Sequence, residues 1–143
     1  MKFLLDTNAF SEITRARPNK GFIDWIGDLD ETRVFVSLLT VGEVRRGIWR
    51  LPEGRRRLEL EAANEQLLAD YAERILSVDE IVAVEWPRLS SRLSSSGVVI
   101  GAIDEVLAAT ALFHDLTVVT RNVRHFRNTD CELLCPWTVE DAD

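Results

Sequence analysis

The stretch that decides the fold is FLLDTNAFSE, residues 3–12. Phe3-Leu4-Leu5 is a short, wholly apolar run, Asp6-Thr7-Asn8 is polar, and the residues from Ala9 to Thr14 are compatible with a helix. An apolar run that ends in capping residues is typical of a buried strand that leads into a helix N-terminus. This stretch therefore predicts a strand-helix unit with Asp6 at the junction.

The same alternation continues along the chain. Buried strands are predicted over 34–37 and 116–120, a brief extended segment over 75–78 and an edge strand over 132–134. Helices are predicted over 21–29, 40–51, 55–76, 79–93 and 104–114, and Pro87 suggests a kink or a restart. Short apolar strands that alternate with helices predict an α/β fold whose parallel sheet is covered on both faces.

Length and composition predict a single domain, residues 1–143. The chain has 143 residues and is 46% apolar, which suits one well-filled core and not two. It has no run of about 18 apolar residues, and Asp6 interrupts the first apolar stretch before a signal-peptide core forms. We therefore expect a cytoplasmic protein without membrane association. Cys131 and Cys135 lack the pattern of a zinc or redox site and are expected to be buried or idle thiols.

The charge of the chain argues against a broad nucleic-acid surface. The net charge is −7, whereas phosphate binding needs clustered basic residues. All of the 17 basic residues except Lys2 and Lys20 are arginines, and a group of them is close in sequence: Arg45, Arg46, Arg50, Arg55, Arg56 and Arg57. Such a run is typical of a local basic ridge, of a solvent-exposed helix face or of a subunit contact. Taken on its own, the run favours one of the last two interpretations.

Polar side chains occur where the predicted strands end. Asp6 follows the first strand, Glu43 lies one helical turn beyond the second, Asp104 opens an Ala-rich helix, and Asn122 follows strand 116–120. In an open parallel sheet the functional crevice lies at the carboxyl ends of the strands. Clustered carboxylates repel one another unless a cation lies among them, and hard oxygen ligands select Mg²⁺ or Mn²⁺. These residues best support metal-assisted hydrolysis of a phosphodiester bond.

Each acid also has a purely structural explanation. Asp6 suits a helix N-cap, Thr40-Val41-Gly42-Glu43 fits a capping box, and Asp104 complements a helix dipole. These explanations account for the acids singly but not for their common position at one end of the sheet. A phospho-receiver domain also uses strand-end acids, but it needs a lysine at a late strand end, and Lys2 and Lys20 are not so placed.

Four blocks of the sequence resemble the PIN-domain family, in particular VapC- and FitB-like toxin ribonucleases of toxin–antitoxin pairs. The blocks are residues 4–12, residues 37–43 with Arg45-Arg46-Gly47, residues 104–111 and residues 118–122. The resemblance implies a three-layer α/β/α PIN-like domain with a short, mostly parallel central sheet, and a homodimer. It also implies an endoribonuclease, the toxin of a type II (VapBC-like) pair, which hydrolyses RNA by metal-activated water with Mg²⁺ or Mn²⁺ as cofactor. A small VapB-like antitoxin would be its partner.

The site residues follow from the same resemblance. Asp6, Glu43 and Asp104 match the first three acids of the family, which implies that they are catalytic metal ligands. Asn8, Thr40 and Thr120 match polar positions that support ligands or water. Asn122 stands where FitB-like relatives carry a fourth acid, and His125 stands where many VapC relatives carry one. The neutral Asn122 would still act in catalysis through its carbonyl oxygen, and this departure favours one bound cation over two.

The sequence also allows other interpretations. His125 would serve as a proton carrier or phosphate contact, although a packed or half-exposed surface residue is the expectation. The missing fourth acid also allows a catalytically weakened PIN-type binding module, which binds RNA or an antitoxin without efficient cleavage. The acidic charge suits an antitoxin whose arginine enters the carboxylate pocket. Trp25 and Trp49 belong either to the partner surface or to the core.

Overall fold

The computed structural model describes residues 1–139 and has a parallel sheet at its centre. The sheet consists of β1 (Phe3–Leu5), β2 (Val34–Ser37), β3 (Ile75–Leu76), β4 (Thr117–Val119) and β5 (Leu133–Leu134). The strand order is β3-β2-β1-β4-β5, and every pairing is parallel. The predicted parallel sheet is confirmed, and so is the edge position of the last strand.

Helices cover both faces of the sheet. They are α1 (Thr7–Glu12), α2 (Lys20–Gly27), α3 (Leu38–Trp49), α4 (Arg55–Tyr71), α5 (Trp86–Ser95), α6 (Ala102–His114) and α7 (Val123–Phe126). Successive strand residues point to opposite faces, so Leu4 packs in one core with α5 and α6, and Phe3 and Leu5 pack in the other with α1 to α4. This confirms the three-layer α/β/α fold.

Several helix boundaries differ from the prediction by a few residues, and two of the differences have a visible structural cause. The helix predicted over 55–76 ends at Tyr71 and gives way to a 3₁₀ turn, because Ile75 and Leu76 pair with Val36 and Ser37 as an edge strand. α3 begins at Leu38, where the Ser37 hydroxyl accepts the backbone N–H of Leu39 at 3.2 Å. The capping box from Thr40 to Glu43 is therefore wrong, since the helix starts before Thr40.

The region around Pro87 shows how the chain accommodates a residue without a backbone N–H. The helical path continues through Pro87, but the segment Ile81–Glu85 before it is π-helical. Pro87 lies in the first turn of α5, directly after this π-helical segment. The predicted irregularity is thus confirmed as a local change in helix type.

The tryptophans and cysteines occupy different environments. Trp25 packs edge-to-face against Phe3 with ring centroids 5.2 Å apart, so it belongs to the core, whereas Trp49 is 62% exposed. Cys131 is half-buried and Cys135 is exposed, and both are free thiols as expected. Over residues 1–139, no helix combines the length and apolar character that a bilayer crossing requires.

The topology determines where polar side chains meet. β1 lies between β2 and β4: the chain runs from β1 to β2 and β3 on one side, and then crosses to β4 and β5 on the other side. A crevice forms beyond the carboxyl ends of the strands at such a point. The residues that follow β1, β2 and β4 are therefore brought to one edge, which carries Asp6, the start of α3 and Thr120.

Candidate active site

Asp6 is both a helix cap and a member of the carboxylate cluster. It directly follows β1, is 6% exposed, and its Oδ1 accepts the backbone N–H of Ala9 at 2.8 Å. Burial raises the pKa of Asp6, and the negative charge of Asp104 raises it further, against the hydrogen bonds from Thr120 and Ala9. Capping therefore does not compete with a role in the site, because only one carboxylate oxygen makes the cap.

Glu43 is held in place by a residue of α1 and not by the N-terminus of its own helix, α3. Its Oε1 accepts a hydrogen bond from the Thr7 hydroxyl, which lies 36 residues earlier in the chain. Thr7 is the first residue of α1, so this bond joins the helix after β1 to the helix after β2. The structure thus places Glu43 beside the residue that follows Asp6.

Asp104 lies in the first turn of α6 and contacts His125. Asp104 Oδ2 is 2.7 Å from His125 Nε2, and the backbone oxygen of Ile100 is also 2.7 Å from the same nitrogen. Burial raises the pKa of Asp104, His125 opposes this shift, and the negative charge of Glu43 adds to it. Because a carboxylate and a carbonyl both accept hydrogen bonds, Nε2 of His125 carries the proton.

The three acids interact electrostatically through Asp104. The charge of Asp104 acts on Asp6, and the charge of Glu43 acts on Asp104. Each carboxylate uses one oxygen in an internal hydrogen bond: Asp6 Oδ1, Glu43 Oε1 and Asp104 Oδ2. Within the described part of the chain, Glu43 Oε2 and Asp104 Oδ1 have no hydrogen-bond donor. Glu43 and Asp104 therefore each retain one carboxylate oxygen without an internal donor from residues 1–139.

The carboxylate oxygens of the three acids are chemically suitable ligands for a hard divalent cation. A cation would favour the ionised carboxylates of Asp6 and Asp104, whose pKa values are raised by burial and, to a smaller extent, by a neighbouring negative charge. Buried Thr40 lies three residues before Glu43 on α3, and its Oγ1 has no hydrogen-bond partner among residues 1–139. No three His, Cys, Asp or Glu side chains of the described residues form a preassembled metal-binding group.

The other predicted site residues differ in their relation to the acids. Thr120 is buried, and its hydroxyl interacts with Asp6. The same hydroxyl oxygen accepts the backbone N–H of Asn122 at 2.9 Å. Asn8 is exposed and contributes its backbone N–H to Asp6. Asn122 is exposed, and its side chain does not cap α7. The structure therefore joins Thr120 and the Asn8 backbone to the carboxylates, and shows no such bond for the Asn122 side chain among the described residues.

Thr7 was not identified as a site residue from the sequence, and His125 was expected to be a packed or half-exposed surface residue. Thr7 was considered only as a cap, although its position directly after Asp6 in Asp-Thr-Asn was a signal. His125 is half-buried and packs on Phe126, as expected for a packed residue, yet it also contacts Asp104. The sequence signal for His125 was its position, where many VapC relatives carry an acid. α7, the helix that contains His125, was not predicted.

Comparisons with known proteins bear on the family and the fold of the chain. The PIN domain family model matches residues 3–130. The chain is 38% identical over 135 residues to Toxin FitB of Neisseria gonorrhoeae, which covers 94% of this chain and 97% of that protein. It is 33% identical over 135 residues to VapC ribonuclease Y4jK of Sinorhizobium fredii, with 94% and 96% covered.

A solved structure shows the same fold. A chain in the structure of FitAB bound to an IR36 DNA fragment matches with a TM-score of 0.88 and 37% sequence identity, and 99% of each chain is covered. Family model, relatives and fold agree over nearly the whole chain. The chain belongs to the PIN-domain family.

Proposed function

We propose that this protein is a metal-dependent endoribonuclease and the toxin of a VapBC-like toxin–antitoxin pair. The observation that carries the proposal is the position of the three acids: Asp6 follows β1, Glu43 is joined to Thr7 beside it, and Asp104 contacts His125, which lies beyond β4. Such a cluster at the carboxyl ends of parallel strands suits a cation-binding catalytic site. The similarity to Toxin FitB and to a VapC ribonuclease supports the toxin and the RNA substrate.

Asp6, Glu43 and Asp104 would hold Mg²⁺ or Mn²⁺. The cation would polarise a phosphoryl oxygen and lower the pKa of water for attack at phosphorus. The chain's own contribution is orientation: Ala9 N–H, the Thr7 hydroxyl and His125 Nε2 each fix one carboxylate oxygen. Thr40 and Thr120 provide further hydroxyl groups beside these acids, and the neutral Asn122 favours one cation over two.

The same pocket suits an inhibitory partner. An arginine from a small VapB-like antitoxin would neutralise the repelling carboxylates through charge-assisted hydrogen bonds. The solved structure of FitAB bound to an IR36 DNA fragment supports a two-component assembly as the model for this partner. The proposed homodimer would bury exposed apolar residues such as Leu112 and Phe113 of α6.

Cleavage of RNA by the purified, partner-free protein tests the enzyme. We expect cleavage that needs Mg²⁺ or Mn²⁺, stops with a chelator, and falls at least about 10²-fold in Asp6→Asn and Asp104→Asn, the scale of a lost electrostatic contact. Asp24→Asn is the matched control, because Asp24 is an exposed residue of α2 and should leave the rate unchanged. Wild-type rates in either site variant would refute the proposal.

The alternative is a catalytically weakened binding module. It is favoured by Asn122 in place of a fourth acid and by the incomplete metal-binding group of the described residues. This alternative predicts that the wild-type protein binds RNA or an antitoxin but produces no metal-dependent cleavage products. The cleavage experiment distinguishes the two functions directly.

A further inference from the structure

The outer face of α3 carries an exposed patch directly beyond Glu43. Arg46 is three residues after Glu43, and Trp49 and Arg50 are three and four residues after Arg46. Residues at these separations are neighbours on a helix surface. Arg46, Trp49 and Arg50 are all exposed, and Trp49 is 62% exposed. We call these three residues the α3 patch.

Ion pairs divide the arginine run into two sets. Arg45, Arg55 and Arg57 pair with Glu65, Glu59 and Glu61 at 3.4, 2.9 and 2.9 Å. Arg46, Arg50 and Arg56 form no ion pair within residues 1–139, and the first two share the helix of Glu43. In a chain with a net charge of −7, the α3 patch therefore keeps two uncompensated positive charges beside the acidic site.

The path from Glu43 to the patch is open. Gly47 lies one turn after Glu43, and nothing stands within 4 Å of where its Cβ would be. The seven residues from Glu43 to Arg50 span about 10 Å of helix, which is the rise of about three stacked nucleotides. A nucleic-acid strand can thus lie along α3 with one end at the carboxylates.

The exposed tryptophan indicates which form of nucleic acid fits. An aromatic ring between two arginines provides stacking for a base and contacts for the neighbouring phosphates. Only an unpaired base offers its face to such a ring, since bases in a duplex are stacked on each other. The patch therefore suits a single strand and not a duplex.

We infer that the α3 patch, Arg46, Trp49 and Arg50, binds single-stranded RNA and leads it to the carboxylates of the proposed nuclease site. Arg46 and Arg50 contact phosphates, and Trp49 stacks on a base. This inference rests on the proposed function for its RNA substrate, but it assigns binding to residues outside the catalytic cluster.

The affinity of the full chain for a labelled single-stranded RNA tests the inference. Fluorescence anisotropy would be measured with a chelator present, to prevent cleavage, between about 50 and 200 mM salt. Arg46→Gln/Arg50→Gln should weaken binding about tenfold and lower the slope of log affinity against log salt by about 1.4, or about 0.7 per phosphate contact. Trp49→Ala should weaken binding about tenfold and Trp49→Phe less, and a duplex of the same sequence should not respond to Trp49→Ala.

Arg45→Gln/Arg55→Gln is the matched control. It removes the same amount of charge, from α3 and the neighbouring α4, but from arginines that are already paired. Equal effects of the two double variants would show a mere response to net charge and overturn the inference. Unchanged RNA affinity in the Arg46, Arg50 and Trp49 variants would also overturn it, and loss of co-purification with the neighbouring gene product in those variants would then assign the patch to a protein partner.

The cleavage assay separates this inference from the proposed function. Metal-dependent cleavage by the wild type, with unaltered RNA binding in the patch variants, would reject the patch and retain the nuclease. Patch-dependent binding of single-stranded RNA without any cleavage would retain the patch and reject the nuclease.

Discussion

His125 joins the segment after β4 to the beginning of α6 through one nitrogen. Its Nε2 lies 2.7 Å from Asp104 Oδ2 and 2.7 Å from the Ile100 backbone oxygen, and its ring packs edge-on against Phe126. A donor of this kind orients a carboxylate and thereby tunes its behaviour as a ligand. His125 is therefore a positioning residue for Asp104.

Substitution of His125 should alter metal binding without unfolding the protein. His125→Phe keeps an aromatic ring against Phe126 but removes the donor, so we expect Mn²⁺ affinity to fall about 10- to 100-fold. His125→Gln retains a donor near the same position and should recover part of the affinity. Calorimetric titration with Mn²⁺ measures both, and equal affinities in wild type and His125→Phe would contradict the positioning role.

The Thr40 hydroxyl allows an effect on protein stability to be compared with an effect on metal binding. Its buried Oγ1 has no hydrogen-bond partner in the described chain, and an unsatisfied buried hydroxyl is destabilising. Thr40→Val removes this group at nearly constant shape, so we expect the metal-free protein to gain about 1 kcal/mol in urea denaturation. The same variant should bind Mn²⁺ more weakly, and lower stability of the metal-free form would show that the hydroxyl is satisfied in solution.

At the scale of elements, α2 and the segment 136–138 are packed with almost no space between them. A Cβ on Gly21 would contact Thr138 Cγ2 and lie 2.8 Å from the Pro136 backbone oxygen. Buried Asn19, which caps α2, also accepts the backbone N–H of Thr138 at 3.1 Å and donates to its oxygen at 2.9 Å. These contacts therefore hold α2 against the segment 136–138, which follows β5.

Gly21→Ala should break this close packing. Because part of the clash is with backbone, we expect a loss of about 1–3 kcal/mol in the free energy of unfolding, measured by urea denaturation. Gly27→Ala is the control in the same helix, since nothing lies within 4 Å of its Cβ position and alanine favours helix. Equal stabilities of the two variants would show that the 136–138 segment moves aside freely.

For the whole molecule, the carboxylate cluster opposes folding when its acids are ionised. The pKa values of Asp6 and Asp104 are raised in the folded chain, so the folded state holds their protons more tightly than the unfolded state. The stability contributed by these protons is complete below the ordinary pKa of 3.8 and is lost as pH rises through the raised values. A bound cation would restore it by mass action.

The pH dependence of thermal unfolding checks this linkage. Relative to the wild type, Asp6→Asn/Asp104→Asn should raise the melting temperature of the metal-free protein by a few degrees near neutral pH, and the difference should vanish toward pH 3.8 and below. Asn replaces Asp as an N-cap with little loss, so the cap of α1 is retained. Mn²⁺ should stabilise only the wild type, and a double variant that melts lower at neutral pH would contradict the sign.

The sequence by itself determined the layers of this protein and the place of its acids. Apolar runs at Phe3–Leu5, Val34–Ser37 and Thr117–Val119 and the helical periodicity between them are local signals, so the α/β/α order could be predicted. In a parallel sheet this order places the residues after each strand, and the start of the helix that precedes the next strand, at one edge. This is why Asp6 and Glu43, which follow strands, and Asp104, which opens the helix before β4, could be chosen as candidates.

Only the tertiary structure decided which side chains meet. The end of α4 at Tyr71 depends on pairing between β3 and β2, and the contact of His125 with Asp104 depends on the packing of α7 beside α6. The division of the arginine run into paired and unpaired members depends in part on the packing of α3 against α4. These outcomes arise from contacts between distant segments, whose energies exceed local propensities and leave no periodic signal in the sequence.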